Sequence, residues 1–185
     1  SKIGITNGVF QQEWKRDNTN DASTYALSNN YGNDFNMKYE FTTNGLNGYS
    51  NGFVGMFSGD NTVDYNDNQD FVALFFNDLV KIKLYTVNDV YSSGGVSSSS
   101  WITLTANTDY YVEIIGNGDD TYTMNIRTGS HTGSLVSTQT VTNSGITGLE
   151  YIGAKNTISS SSGSTITQVD NLSITGQGGT SYHTT

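Results

Sequence analysis

The sequence predicts a single all-β domain, built as a two-sheet antiparallel sandwich. About a dozen short runs alternate apolar and polar residues, which places one side of each strand in a core and the other at the surface. Gly, Asn, Asp and Ser separate these runs, and because Pro is absent the turns rest on residues that tolerate positive φ. No window of the chain sustains the helical period of about 3.6 residues.

The alternating runs define the strands in chain order. In 34–42 the apolar residues occupy every second position, with Asn36, Lys38 and Glu40 between them. The run 71–76 is apolar on both sides, which is typical of a central strand covered on both faces. The runs 109–116 and 120–127 flank a Gly/Asp/Asn turn and form a predicted hairpin. The predicted strands are 8–14, 23–28, 34–42, 52–58, 70–77, 79–87, 101–105, 109–116, 120–127, 135–140, 149–154 and 166–175.

A chain of 185 residues can bury a core of its own. We expect the sandwich domain to span residues 1–175 and residues 176–185 to form a C-terminal tail or linker stub, held by contacts with its own domain or with a neighbouring chain. The predicted core residues are Phe35, Met37, Tyr39, Phe41, Val80, Ile82, Leu84, Val112, Ile114, Tyr122, Met124 and Ile126.

Composition narrows the possible partners and the setting. The formal net charge is −9, and an acidic chain repels nucleic acid phosphates and anionic membrane surfaces. No apolar run approaches the roughly 20 residues of a membrane-spanning helix, so membrane insertion is not expected. Cys is absent, which excludes disulfides and thiolate metal sites. The chain opens on Ser-Lys in mid-pattern, which suggests an excised module or a processed product. We expect the parent to be a larger protein that is extracellular or at the cell surface.

The order of motifs in the second half points to a known architecture. The run YYVEII at 110–115 leads into the turn GNGDD at 116–120, YTMNIR follows at 122–127, and the strand VDNLSIT at 169–175 closes on a Gly-rich tail. This order resembles the concanavalin A-like (laminin-G-like) jelly-roll superfamily over residues 8–176. The resemblance implies a jelly roll whose late Asp-Asn strand returns to pair near the N-terminus. It also implies a carbohydrate-binding or lectin-like function on a concave sheet.

The glycoside hydrolases of that superfamily set Glu-x-Asp-x-x-Glu on one strand, with two carboxyl groups about 5–5.5 Å apart. The four Glu of this chain are Glu13, Glu40, Glu113 and Glu150. None starts the motif, because Lys15, Thr42, Ile115 and Ile152 stand where the Asp belongs. We therefore expect a binding module rather than an enzyme. Two alternatives stay open: a structural or adhesive module of a cell surface, filament or virion, and a polysaccharide hydrolase with an unrecognised pair of carboxylates.

Half of the basic residues fall in predicted strand interiors and point away from the core. A concave sheet that gathered them would form a polar groove for a carbohydrate, with aromatic rings from the loops stacking on the sugar. The competing interpretation is a solvated sheet face with cross-strand ion pairs. The predicted ligand-binding residues are Lys38, Lys81, Lys83, Tyr85 and Arg127 on strands and Tyr49, Tyr91 and Trp101 at the rim.

Structural calcium is the one cofactor that the sequence favours. The segment 59–70 is rich in oxygen donors, and its alternating Asp64, Asn66, Asn68 and Asp70 are candidate ligands. The resemblance adds Asp170, since related jelly rolls bind calcium with a late Asp and N-terminal carbonyls. The competing interpretations are an ordinary Asn/Asp turn cluster for the segment, and a turn cap or solvent-facing carboxylate for Asp170.

Overall fold

The described part of the chain contains fifteen β-strands. The structure, a computed structural model, describes residues 2–6, 9–15, 22–27, 30–43, 51–60, 69–77, 80–89, 95–157, 164–176 and 181–183. The strands are β1 (Lys2–Thr6), β2 (Val9–Lys15), β3 (Ala22–Ala26), β4 (Asp34–Thr43), β5 (Asn51–Phe57), β6 (Phe71–Asn77), β7 (Lys81–Val87), β8 (Val96–Ser98), β9 (Ile102–Thr103), β10 (Tyr110–Asn117), β11 (Thr121–Thr128), β12 (Ser134–Thr142), β13 (Tyr151–Thr157), β14 (Ser164–Gly176) and β15 (Ser181–His183).

The strands form two antiparallel sheets. Sheet A has the order β1-β2-β14-β4-β10-β11-β12, with β15 beside β14. Sheet B has the order β3-β13-β5-β6-β7-β8, with β9 beside β7. The late strand β14 pairs with β2 near the N-terminus, with Val169 opposite Phe10, as the resemblance implied. The all-β, two-sheet architecture predicted from the sequence is confirmed.

The main core lies between the sheets and contains every residue predicted for it except Val80. Met37, Tyr39 and Val112 are fully buried there, because alternate residues of β4 and β10 point inward. Val80 is only partly buried against this core. It lies in the turn before β7 with a φ of 55°, so it does not follow the alternation of that strand.

A second apolar cluster covers the outer face of sheet B. It contains Phe53, Phe57, Phe71, Ala73, Tyr85 and Val87, with Phe75, Val96 and Tyr151 partly buried beside it. Strand β6 therefore has apolar neighbours on both faces, as its sequence predicted. Gly55 pairs with Ala73 in the middle of this face, and a Cβ on Gly55 would lie 2.2 Å from the carbonyl oxygen of Val72.

Three short strands were not predicted. They are β1, β8 and β15, each of five residues or fewer. Strand β15 pairs with β14, so Ser181–His183 of the expected tail extends sheet A and is held by its own domain. The described residues include no helix that is long and apolar enough to cross a bilayer.

Candidate functional site

The outer face of sheet B holds a lysine among aromatic rings. Lys83 points outward from β7, because its neighbours Ile82 and Leu84 are buried in the main core. Its Nζ lies 4.8 Å from the ring centroids of Tyr85 and Trp101, and 5.5 Å from that of Phe75. It also donates a hydrogen bond to Ser98 Oγ at 3.2 Å. We call Phe75, Lys83, Tyr85 and Trp101 the aromatic–lysine patch.

The position of Trp101 follows from the connection between β8 and β9. Both short strands pair with β7, so residues 99–101 run along its edge. Ser99 N donates to Leu84 O at 3.0 Å, and Leu84 N donates to Ser99 Oγ at 2.9 Å. From β12 in the other sheet, Gln139 Nε2 donates to Ser100 O at 2.6 Å. These bonds hold the chain that presents the indole ring.

Trp101 is the accessible member of the patch. Its side chain is 43% exposed, whereas Tyr85 is 8% exposed and packs into the aromatic cluster. The Trp101 and Phe75 ring centroids are 5.3 Å apart, and Phe75 stacks in turn on the buried Phe53 at 4.7 Å. The exposed indole therefore packs on Phe75, which packs in turn on a buried ring, and an exposed ring of this kind can stack on a ligand.

Lys83 is partly removed from solvent. Burial lowers the pKa of its ammonium group from the usual value. Within the described part of the chain Lys83 makes no ion pair, and its polar partner is the hydroxyl of Ser98. The surrounding ring faces favour the protonated form, since each presents negative electrostatic potential to a cation.

Charge is distributed unevenly between the two sheets. The described strands of sheet B include Lys81, Lys83 and Lys155 but no Asp or Glu. The strands of sheet A contain both signs. Lys155 is fully buried, donating to Gly59 O and Gln69 Oε1 at 2.7 Å each, with its Nζ 4.2 Å from the Phe57 ring centroid. It fastens the two ends of the segment 59–69 to sheet B.

The outer face of sheet A is polar and internally paired. Lys38 Nζ lies 3.2 Å from Glu113 Oε1, which also accepts a hydrogen bond from Asn36 at 2.9 Å. Asn125 Nδ2 donates to Glu113 Oε2 at 3.2 Å. Burial raises the pKa of Glu113, but the bonds from Asn36, Asn125 and Lys38 outweigh it and hold that pKa below the usual value. The His131 ring meets Tyr111 edge-on nearby, at 5.3 Å.

The predicted single groove of basic residues is wrong. Lys38 lies on β4 and Arg127 on β11 in sheet A, whereas Lys81 and Lys83 lie on β7 in sheet B. Arg127 is engaged locally, where its Nη1 donates to Gly133 O at 3.1 Å. Alternation predicted correctly that all four point away from the core, but it does not determine which sheet a strand joins.

Two of the other predicted ligand residues are described by the structure. Tyr85 and Trp101 meet at the patch, while Tyr49 and Tyr91 lie outside the described residues. Sequence reasoning missed Phe75, which was assigned only to a central strand. Its place opposite Lys83 depends on the register of the β6–β7 pair, which no sequence motif specified.

The structure describes two of the candidate calcium ligands, Asp70 and Asp170. Asp70 accepts hydrogen bonds from the backbone N–H groups of Asp89 and Thr147, at 2.6 Å each. Asp64, Asn66 and Asn68 lie outside the described residues. Asp170 sits at a bulge of β14, where its Oδ1 accepts from Asn171 N at 2.7 Å. The described residues contain no cluster of three acidic or His side chains suited to a metal, and calcium stays a prediction.

Solved structures share this arrangement of two sheets. A legume lectin-like domain from Entamoeba histolytica has a TM-score of 0.60 at 13% identity, over 94% of this chain and 86% of that one. This chain has the concanavalin A-like jelly-roll fold. Alginate lyase A1-II′, of polysaccharide lyase family 7, matches the jelly roll with a TM-score of 0.58 at 19% identity, over 92% of this chain and 81% of the lyase.

A third similar jelly roll is the CBM2 module of the evolved Dit of Lactobacillus casei BL23 phage J-1. Its TM-score is 0.55 at 14% identity, over 100% of this chain and 80% of the module's chain. No protein-family model matches the sequence, and no curated protein does. At these identities the likeness establishes the fold alone.

Proposed function

We propose that this jelly roll is a non-catalytic carbohydrate-binding module of a larger extracellular protein, with its ligand site at the aromatic–lysine patch of sheet B. The observation behind the proposal is the exposed ring of Trp101, supported by Phe75 and flanked by the Lys83 ammonium. The C–H patches of a pyranose stack on such a ring, and an ammonium donates hydrogen bonds to hydroxyl groups. The likeness to a legume lectin-like domain supports the same function.

The absence of acidic residues from the described strands of sheet B favours binding over hydrolysis. Most glycosidases need two carboxyl groups, one on each side of the scissile bond. The strands that flank the patch offer Lys81 and Lys83 but no Asp or Glu. The likeness to an alginate lyase supports the competing proposal of a polysaccharide-cleaving enzyme. If the protein released new reducing ends or unsaturated uronates from polysaccharides, it would be a polysaccharide-cleaving enzyme and not a binding module.

Structural calcium belongs to the proposal as a stabilising ion. Asp170 follows Val169, whose partner Phe10 lies in the N-terminal strand β2, and this nearness to the N-terminal segment supports the proposal. A bound ion raises the stability of the folded state by mass action. We expect melting temperature to rise with added Ca²⁺ and to fall with a chelator. Identical melting curves in both conditions would remove calcium from the proposal.

Substitution of Trp101 tests the location of the carbohydrate site. We expect the protein to be retarded in native gels that contain a bound polysaccharide, and Trp101→Ala to weaken the retardation by about tenfold or more, the effect of an aromatic hot spot. Tyr25→Ala is the matched control, because Tyr25 is 68% exposed on β3, far from β7 in the order of sheet B. Equal retardation of Trp101→Ala and the wild type would show that the carbohydrate site does not include Trp101.

A second candidate function is an adhesive or structural module of a virion or cell surface. Strand β12 ends sheet A and contains no charged residue, and Leu135 and Val136 on it are 52% and 45% exposed. Uncharged edge strands are templates for pairing with another chain. The likeness to a module of a phage Dit supports this candidate. Sedimentation analysis tests it: concentration-dependent association that Leu135→Lys abolishes would favour a structural role.

A further inference from the structure

We infer that the ligand of the aromatic–lysine patch is an anionic glycan, one whose carboxylate or sulfate groups are bound by Lys83 and Lys81. The inference rests on the proposed carbohydrate site and specifies the chemical class of its ligand. Charge segregation is the first observation. The protein has a net charge of −9, yet the described strands of sheet B contain lysines and no acidic residue.

The two lysines are placed to act together. Lys81 and Lys83 are two residues apart on β7, so they project from the same face of the sheet at a spacing of about 6–7 Å. Neither makes an ion pair within the described part of the chain. Among the described residues, rings surround the ammonium group of Lys83 but not that of Lys81. Lys83 therefore places its charge beside the ring on which a sugar would stack.

Among the described residues no carboxylate pairs with Lys83, whereas one does pair with a similar lysine on the other sheet. Lys38 also points outward from an interior strand, but Glu113 neutralises it at a distance of 3.2 Å. Burial lowers the pKa of Lys83, as expected for an ammonium group that is partly desolvated without a carboxylate. A bound anion would provide that carboxylate or sulfate, and charge-assisted hydrogen bonds of this kind are roughly twice as strong as neutral ones.

A neutral sugar would use the patch differently. Stacking on Trp101 needs no charge, and hydroxyl groups would then be bound equally well by amides or hydroxyls. The alternative role for Lys83 is to cap the aromatic cluster by cation–π contacts alone. These alternatives predict different responses to the charge of the ligand and to the charge of the side chain.

The test compares pairs of polysaccharides that differ only in charge. Polygalacturonate is paired with its methyl ester, and dextran sulfate with dextran, alongside a glycan array that spans neutral and acidic structures. We expect the charged ligands to bind and their neutral partners to bind about tenfold or more weakly. Binding should also decline as ionic strength rises, because salt screens exposed charges. Equal binding within the pairs would overturn the inference and leave the carbohydrate site intact, whereas no binding on the array would overturn both.

Variants separate the charge of Lys83 from its packing. Lys83→Met keeps the aliphatic stem over the rings, and we expect it to weaken binding of the charged ligand by about tenfold. Lys83→Arg should restore most of that binding. Lys38→Met removes the same charge from the opposite sheet and should leave binding unchanged. Loss of binding in Lys38→Met equal to that in Lys83→Met would show a diffuse effect of net charge and would overturn the inference, with thermal melting confirming that each variant is folded.

Discussion

The two outer faces of this sandwich come from similar sequence patterns and have opposite chemistry. On sheet A, outward residues of neighbouring strands pair with each other, as Lys38 does with Glu113. On sheet B, the outward lysine Lys83 meets Phe75, Tyr85 and Trp101 instead. Alternation places both lysines at the surface, and the cross-strand neighbour decides what each one does. This contrast is why we propose the ligand site on sheet B, where Lys83 makes no ion pair among the described residues.

The largest expected effect tests whether the face of sheet B is a packed cluster. Phe53 is buried on that face, with ring centroids of Phe71, Phe75 and Tyr85 within 5.7 Å. We expect Phe53→Ala to lower the free energy of unfolding by about 3–5 kcal/mol, as measured by urea denaturation. Thr123→Ala, on the polar face of sheet A, should change it by less than about 0.5 kcal/mol. Comparable effects of the two substitutions would erase the contrast between the faces.

An intermediate effect concerns acid stability on sheet A. The pKa of Glu113 is lower in the folded protein than its ordinary value of 4.5, so its stabilisation is present above the unfolded pKa and is lost as pH falls through the folded pKa. Glu113→Gln should therefore flatten the loss of stability below about pH 4.5. Denaturation at a series of pH values checks this. The same acid slope in the variant and the wild type would show that the network around Glu113 contributes nothing.

The smallest expected effect concerns sheet B, where stability again rises with pH, here through the titration of a cation. The pKa of Lys83 is lowered in the folded state, so its protonated form destabilises the fold at pH values below the folded pKa. As pH rises from the folded towards the unfolded pKa, the wild type should gain stability relative to Lys83→Met. Near neutral pH the variant should be at least as stable as the wild type. A variant that is clearly less stable there would show that the cation–π contacts outweigh desolvation.

Most of the fold could be predicted from the sequence, and particular residues show why. The hairpin of β10 and β11 was predicted because Gly116–Asp120 is bounded by alternating strands, and the structure pairs Ile114 with Met124 across it. Phe35 and Phe41 were assigned to the core for the same reason and are buried. Apolar periodicity predicts burial well, since the hydrophobic effect is non-directional and depends on the apolar area removed from water rather than on which partner covers it.

Only part of the candidate site could be predicted from the sequence. Lys83, Tyr85 and Trp101 were each predicted as ligand residues, but they were grouped with Lys38 and Arg127 of the other sheet. Sheet membership depends on long-range pairing, which a local pattern does not encode. Phe75 joined the site only through its register with Lys83. Long-range pairing and register are therefore what the sequence left undetermined.

Gln139 connects the two sheets by hydrogen bonds next to the aromatic–lysine patch. Its side chain leaves β12 and bridges to β7 and to the β8–β9 connection, accepting from Leu84 N at 3.2 Å and donating to Ser100 O at 2.6 Å. A residue of sheet A thus holds the connection that carries Trp101. We expect a ligand bound at the patch to slow deuterium uptake at Leu84 and along β12. Strand β12 would then be protected although it lies in the other sheet.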